Sequence, residues 1–218
     1  VEGDNSLYAG GLFTSAGGVA ANRIARWDGT TWYPLGSGMT GGDSPTVWAL
    51  AIGSDGSLYA GGNFTMAGGM VANNIARWDG AAWHPLDIGL GGGSSTGVHA
   101  LATSPDGSLY VGGSFTTAGG MAASNIARWD GSQWHPLDSG MTGGSYYPMV
   151  EALAIAPDGS LYAAGRFTSA GGAAASNIAR WDGAAWHPLG SGVAGGIYPD
   201  VHALAVGPDG SLYAGGSF

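Results

Sequence analysis

The chain has 218 residues, 44 of them glycine, with no cysteine, no lysine and a formal net charge of −9 at pH 7. The lack of cysteine removes disulfides, thiolate metal sites and cysteine nucleophiles together. The acidic surface repels phosphate backbones and anionic lipid, so nucleic acid and membrane are not expected partners, and no apolar run reaches the length of a membrane span.

One unit is copied along the chain. The leucine before each tyrosine recurs at Leu7, Leu58, Leu109, Leu161 and Leu212, and one tryptophan at Trp27, Trp78, Trp129 and Trp181. The tryptophan steps are 51, 51 and 52 residues. A fixed period near 50 is the mark of a repeat architecture. Residues 1–13 align with 206–218, so the chain reads as one β domain, 1–218, cut from a longer array.

In the second copy, Val47 to Ile52 is a short apolar strand. Asp55-Gly56 is a tight hairpin turn. Leu58 to Phe64 is the second strand, ending on Gly61-Gly62. Residues 65–73 read as a long glycine-containing loop. Asn74 to Asp79 is the third strand, and Asp79-Gly80 turns it back. Ala82 to Leu86 is the fourth, where Pro85 suits an edge. Four short antiparallel strands per repeat make a propeller blade. The expected fold is an all-β propeller of four-stranded antiparallel blades: four full repeats of about 51 residues plus a partial fifth, giving four or five blades. The glycine pair leaves space that the large tryptophans are expected to fill. The second tryptophan of each copy, Trp32, Trp83, Trp134 or Trp186, is expected to be packed. Because the two chain ends repeat the same strand, self-association through unpaired strands is expected.

The run Tyr59-Ala60-Gly61-Gly62, then Trp78-Asp79-Gly80, then Trp83 followed by Pro85-Leu86 resembles the kelch repeat, with its diglycine strand and downstream tryptophan. The likeness covers the whole chain and implies a bacterial kelch-like β-propeller. It implies little about activity, because this fold hosts many functions.

Eight of the fifteen acids sit in Asp-Gly turns, and Asp4 aligns with them, nine in all where turn geometry wants aspartate. Arg26, Arg77, Arg128 and Arg180 lie two residues before the Trp-Asp-Gly aspartates, on the same strand face, which predicts an arginine–aspartate pair in each blade; a repeated anion site is the sharper reading. His84, His135 and His187 share a position with Tyr33, which reads as surface or packing. His99 and His202 share another position, but two histidines specify no metal centre. No metal and no cofactor are expected, and no catalytic set is found.

The copies differ most just before the first strand. The residue after Val47, Val98, Val150 and Val201 is Trp48, His99, Glu151 or His202. These four should approach the mouth of a central channel, with Tyr146, Tyr147, Tyr198, Asp43 and Asp200 around them. Aromatic faces with a few polar groups suit a sugar or a peptide. The expected function is therefore a non-enzymatic extracellular or cell-surface module that binds protein or carbohydrate. The alternatives are a structural scaffold, suggested by the near-identity of the copies, and a glycoside hydrolase or lyase that would depend on Glu151.

Overall fold

The computed structural model describes residues 6–93, 95–144, 147–195 and 199–218. Every regular element among them is a strand. Each repeat folds as an antiparallel sheet whose strands follow sequence order from one edge to the other. In the second sheet the order is Thr46–Ile52, Leu58–Asn63, Ile75–Trp78 and Trp83–Pro85. The third starts at Gly97–Thr103 and the fourth at Met149–Ile155, and both are also four-stranded. The first sheet has three strands, Leu7–Gly10, Ile24–Trp27 and Trp32–Pro34. The last has two, Asp200–Val206 and Leu212–Ser217. The sequence leads one to expect four complete strand sets. Among the described residues three sheets have all four strands, and the first and last sheets have three and two.

The first strands of consecutive sheets pack on one another, which places them along the inner edge of the propeller arc. Register puts both Asp-Gly turns of a sheet at one end: Ile52 pairs with Leu58, Leu58 with Trp78, and Trp78 with Trp83. The start of the first strand lies at the opposite end, where Thr46 pairs with Asn63.

The residues read as a long loop form structure of their own. Met66–Ala67 and Met70–Val71 pair around Gly68 and Gly69, both at positive φ (60° and 83°). Only glycine holds two such residues in succession without strain, as the tight hairpin turn requires. Met39–Thr40 of the preceding repeat adds a third strand. The same three-stranded patch recurs around Leu90–Gly91 and Met141–Thr142, stitching each blade to the next.

The core runs between blades. Trp83, Trp134 and Trp186 are buried, and their indole N–H groups donate to the carbonyls of Leu35, Leu86 and Leu137 in the preceding repeat. Each indole also lies against the first glycine of its own hairpin: a Cβ on Gly68 would come within 3.1 Å of the Trp83 ring. The tryptophans therefore do not fill the space beside the diglycine strand. Side chains of the next blade do, since a Cβ on Gly61 or Gly112 would meet Val98 or Val150. The fourth copy has Ala164 there, fully buried with Val201.

The Trp-Asp-Gly aspartates accept hydrogen bonds from their own turns. Asp79 Oδ1 takes the N–H groups of Ala81 and Ala82 at 2.8 Å, and Oδ2 lies 2.6 Å from His84 Nε2. His135 and His187 pair likewise with Asp130 and Asp182. In the first copy Tyr33 takes this position, and the Arg26 guanidinium lies 5.4 Å from its ring centroid. The arginines do not pair with these aspartates, as the sequence spacing suggests, but across the strand pair. Arg77 donates to Ser57 Oγ at 2.9 Å and lies 3.4 Å from Asp55, and Arg180 repeats this with Ser160 and Asp158.

These bonds hold the turn carboxyls well below the usual carboxylate range. The largest cause is the Ala82 N–H for Asp79, His135 for Asp130 and the Ala185 N–H for Asp182. Unfolded aspartates take up protons near pH 4, while the folded ones resist until lower pH. Between those values the unfolded chain binds more protons, so stability rises with pH. Thermal melts are expected to weaken steadily below about pH 4 as the turn aspartates take up protons. A melting temperature unchanged at pH 3 would contradict this role.

Candidate functional site

All four first strands carry the same irregularity. Val47 pairs with Gly62 and Ala49 with Gly61, so Trp48 is an extra residue without a partner. The pairing skips His99, Glu151 and His202 in the same way. Each of the four varied residues is thus the bulged residue of a β-bulge, a device that re-aims a side chain away from the regular face. The second glycine of each pair makes the bulge room. A Cβ on Gly62, Gly113, Gly165 or Gly216 would sit closer than 3.0 Å to the carbonyl oxygen of Thr46, Gly97, Met149 or Asp200 opposite it.

The four bulged side chains form two contacting pairs along the inner edge. Trp48 stacks on His99, with ring centroids 4.6 Å apart and planes at 12°. Glu151 Oε2 lies 2.5 Å from His202 Nδ1. The pairs adjoin because the strands that carry His99 and Glu151 pack side by side. Burial holds the His99 imidazole below its ordinary pKa; Glu151 opposes that shift and Arg166 adds to it. Trp48 remains 45% exposed and His202 is exposed, so the row is reachable from solvent.

Arg166 organises the second pair. Its Nη2 lies 3.1 Å from Glu151 Oε1 and its Nε 2.8 Å from Asp200 Oδ2. It also contacts Met149 Sδ at 3.0 Å. Asp200 is only 6% exposed. Burial, and next the neighbouring Glu151 carboxylate, raise its pKa, while Arg166 and His202 pull it back. Beside Arg166 opens a cleft of about 300 Å³, lined by Tyr147, Met149, Ser114 and Phe115 among others. Tyr147 stands at its rim, 76% exposed.

The structure therefore brings together Trp48, His99, Glu151, His202 and Asp200, with Tyr147 alongside. Asp43 is exposed in the loop before Thr46. Tyr146 and Tyr198 lie outside the described residues. The two shared-position histidines do not meet, for Glu151 stands between them in the row. Two participants escape sequence reasoning. Arg166 occupies the position held by Leu12, Asn63, Ser114 and Ser217 in the other copies, and that variation is its signal. Gly97 has no side chain because the Trp48 ring lies where its Cβ would be.

A larger cleft of about 410 Å³ opens at the turn end between the second and third blades, lined by Asp55, Tyr59, Arg77, His84 and Trp129. Those residue types recur in the neighbouring blades, so the cleft is a feature of the scaffold.

Four segments, residues 2–27, 53–78, 104–129 and 156–181, match the family model described as "Domain of unknown function (DUF5122) beta-propeller". Each segment covers the glycine-pair strand and the Trp-Asp-Gly strand of one repeat. No curated protein matches the chain in sequence. Among solved structures, two of the extracellular domain of BT4673 from B. thetaiotaomicron are similar. One is described as a one component system, with a TM-score of 0.61 at 11% identity over 99% of this chain. The other is described as a hybrid two component system, with a TM-score of 0.59 at 10% identity over 98%. The chain spans a quarter of either BT4673 chain. The WD40 β-propeller domain of Doa1 is also similar, with a TM-score of 0.51 at 13% identity, covering 88% of this chain and 53% of that one. These likenesses share the fold. Together with the blades they make this a β-propeller repeat chain.

Proposed function

From a β-propeller repeat chain as the starting point, we propose that this protein is a non-enzymatic binding module exposed outside the cell, whose ligand lies along the inner-edge row. One observation carries the reading. The residues at which the copies diverge most include the bulged ones, and the bulges set these side by side in solvent-reachable pairs. A stacked aromatic pair beside a charged pair and a cleft suits a carbohydrate, with a peptide as the other ligand class. The kelch likeness belongs to the same reading, as does the extracellular setting, which draws on the acidic, cysteine-free composition.

The absence of catalysis is part of the proposal. Glycoside hydrolysis uses two carboxyl groups roughly 5–9.5 Å apart, facing across the substrate. Here the acid beside Glu151 is the buried Asp200, with donor atoms within 4.8 Å of one another. Arg166 occupies both.

The test is a glycan and peptide array probed with the wild-type chain and with the variant carrying Trp48→Ala, His99→Ala, Glu151→Ala and His202→Ala. The expected result is a ligand class retained by wild type and lost, at least tenfold, by a variant with an unchanged circular dichroism spectrum. Equal binding by both chains would remove the site from the inner edge.

A further inference from the structure

The Glu151–Asp200–His202 cluster holds more than a polar contact surface needs. One donor atom from each residue lies within 4.8 Å of the others. Arg166 draws the two carboxylates together but leaves the set incomplete. Its Nε is 2.8 Å from Asp200 Oδ2 yet not aligned for a hydrogen bond, and Asp200 Oδ1 is buried without a hydrogen-bond partner. A buried acceptor without a partner is costly and calls for an explanation. His202 Nδ1 and Glu151 Oε2 meet at 2.5 Å over a shared proton, a place a cation can take.

We propose that Glu151, Asp200 and His202 bind a divalent transition cation, Zn²⁺ or Mn²⁺, at the junction of the fourth and fifth sheets. The donor set is two carboxylate oxygens and one imidazole nitrogen, a mixture these ions accept. Three protein ligands leave coordination positions open for an outside oxygen. Bond lengths of about 2.1 Å place tetrahedral donors about 3.5 Å apart, so the Glu151–His202 contact of 2.5 Å must open by about an ångström, while any pair near the 4.8 Å limit must close by about as much. The His202 side chain is exposed and can make that move by turning at its own bonds. Among the described residues the cluster is unique to this junction, because the equivalent positions are Thr46 with Trp48, Gly97 with His99 and Met149 with Glu151. Arg166 is the built-in competitor: its charge offsets the carboxylates, so the site tolerates the lack of an ion. This proposal does not rest on the identity of any organic ligand.

Titration calorimetry of the chelator-treated 218-residue chain with ZnCl₂ and with MnCl₂ tests it. The expected result is one site per chain for at least one of the ions, weakened at least tenfold by Glu151→Gln and by His202→Ala. His135→Ala, at an aspartate–histidine pair on a turn, should leave that site unchanged. Arg166→Met should tighten binding severalfold by removing the competing charge. Melting curves confirm that each variant is folded. Absence of binding at millimolar ion, binding kept by Glu151→Gln, or binding lost in His135→Ala instead would overturn the proposal. No organic ligand is present in this assay, so its failure leaves the binding reading of the row standing.

Discussion

Replacing Trp134 by alanine is expected to lower stability by about 3–5 kcal/mol, the range for emptying a large aromatic site. For a chain of this size that corresponds to a fall in melting temperature of roughly 10 °C. Trp134 is 1% exposed and is the largest fully buried side chain. It tilts against Trp129, rests on Gly119 of its hairpin and donates to Leu86 O in the preceding blade. Its removal therefore loosens one blade and its joint to the last. Trp32 provides the control. It packs on Trp27 in the same way but has no described blade before it, and it is only half-buried. Trp32→Ala should cost less than half as much in the same thermal melts. Equal losses would mean that the interblade contact contributes nothing.

Gly113→Ala is expected to be among the most damaging small substitutions, costing about 3 kcal/mol, the upper part of the range for overpacking. Its Cβ would fall on the backbone carbonyl of Gly97, and backbone cannot step aside like a flexible side chain. The strand can relieve the clash only by undoing the bulge at His99, which would also turn His99 away from Trp48. Gly112→Ala is the counterpart. Its Cβ would meet Val150, a side chain, and the equivalent position of the next copy already carries Ala164. A loss of about 1 kcal/mol or less is expected there. Chemical denaturation of both variants separates the two roles of the glycine pair. If both cost the same, the bulge is not what the second glycine protects.

The repeat period, the strand order and the turn aspartates were legible because each depends on residues near in sequence. Leu58 to Phe64 carries its own alternation, and Asp79-Gly80 its own turn chemistry. What was not legible involves neighbours a full repeat away. The partner of Gly61 is Val98, and the acceptor for Trp83 is Leu35, contacts that only the stacking of blades creates. The hairpin at Gly68-Gly69 was hidden because its strands are two residues long and owe their third partner to the preceding repeat. The candidate row was half-legible. Variation among copies picked out Trp48, His99, Glu151 and His202, but not the bulges that aim them. Arg166 was overlooked because its register partner, Met149, lies across a strand pair.

The chain contains a built-in comparison for its central claim: His99 and His202 sit on the bulge row, while His84, His135 and His187 sit on the fourth strands, bonded to the turn aspartates at the other end of the blades. Imidazole proton resonances of all five can be followed by NMR while the strongest array ligand is titrated in. A ligand on the inner-edge row should shift the His99 and His202 signals in step with binding and leave the three turn histidines in place. Movement of the turn histidines, with His99 and His202 unmoved, would contradict the account and place the binding surface on the opposite end of the propeller.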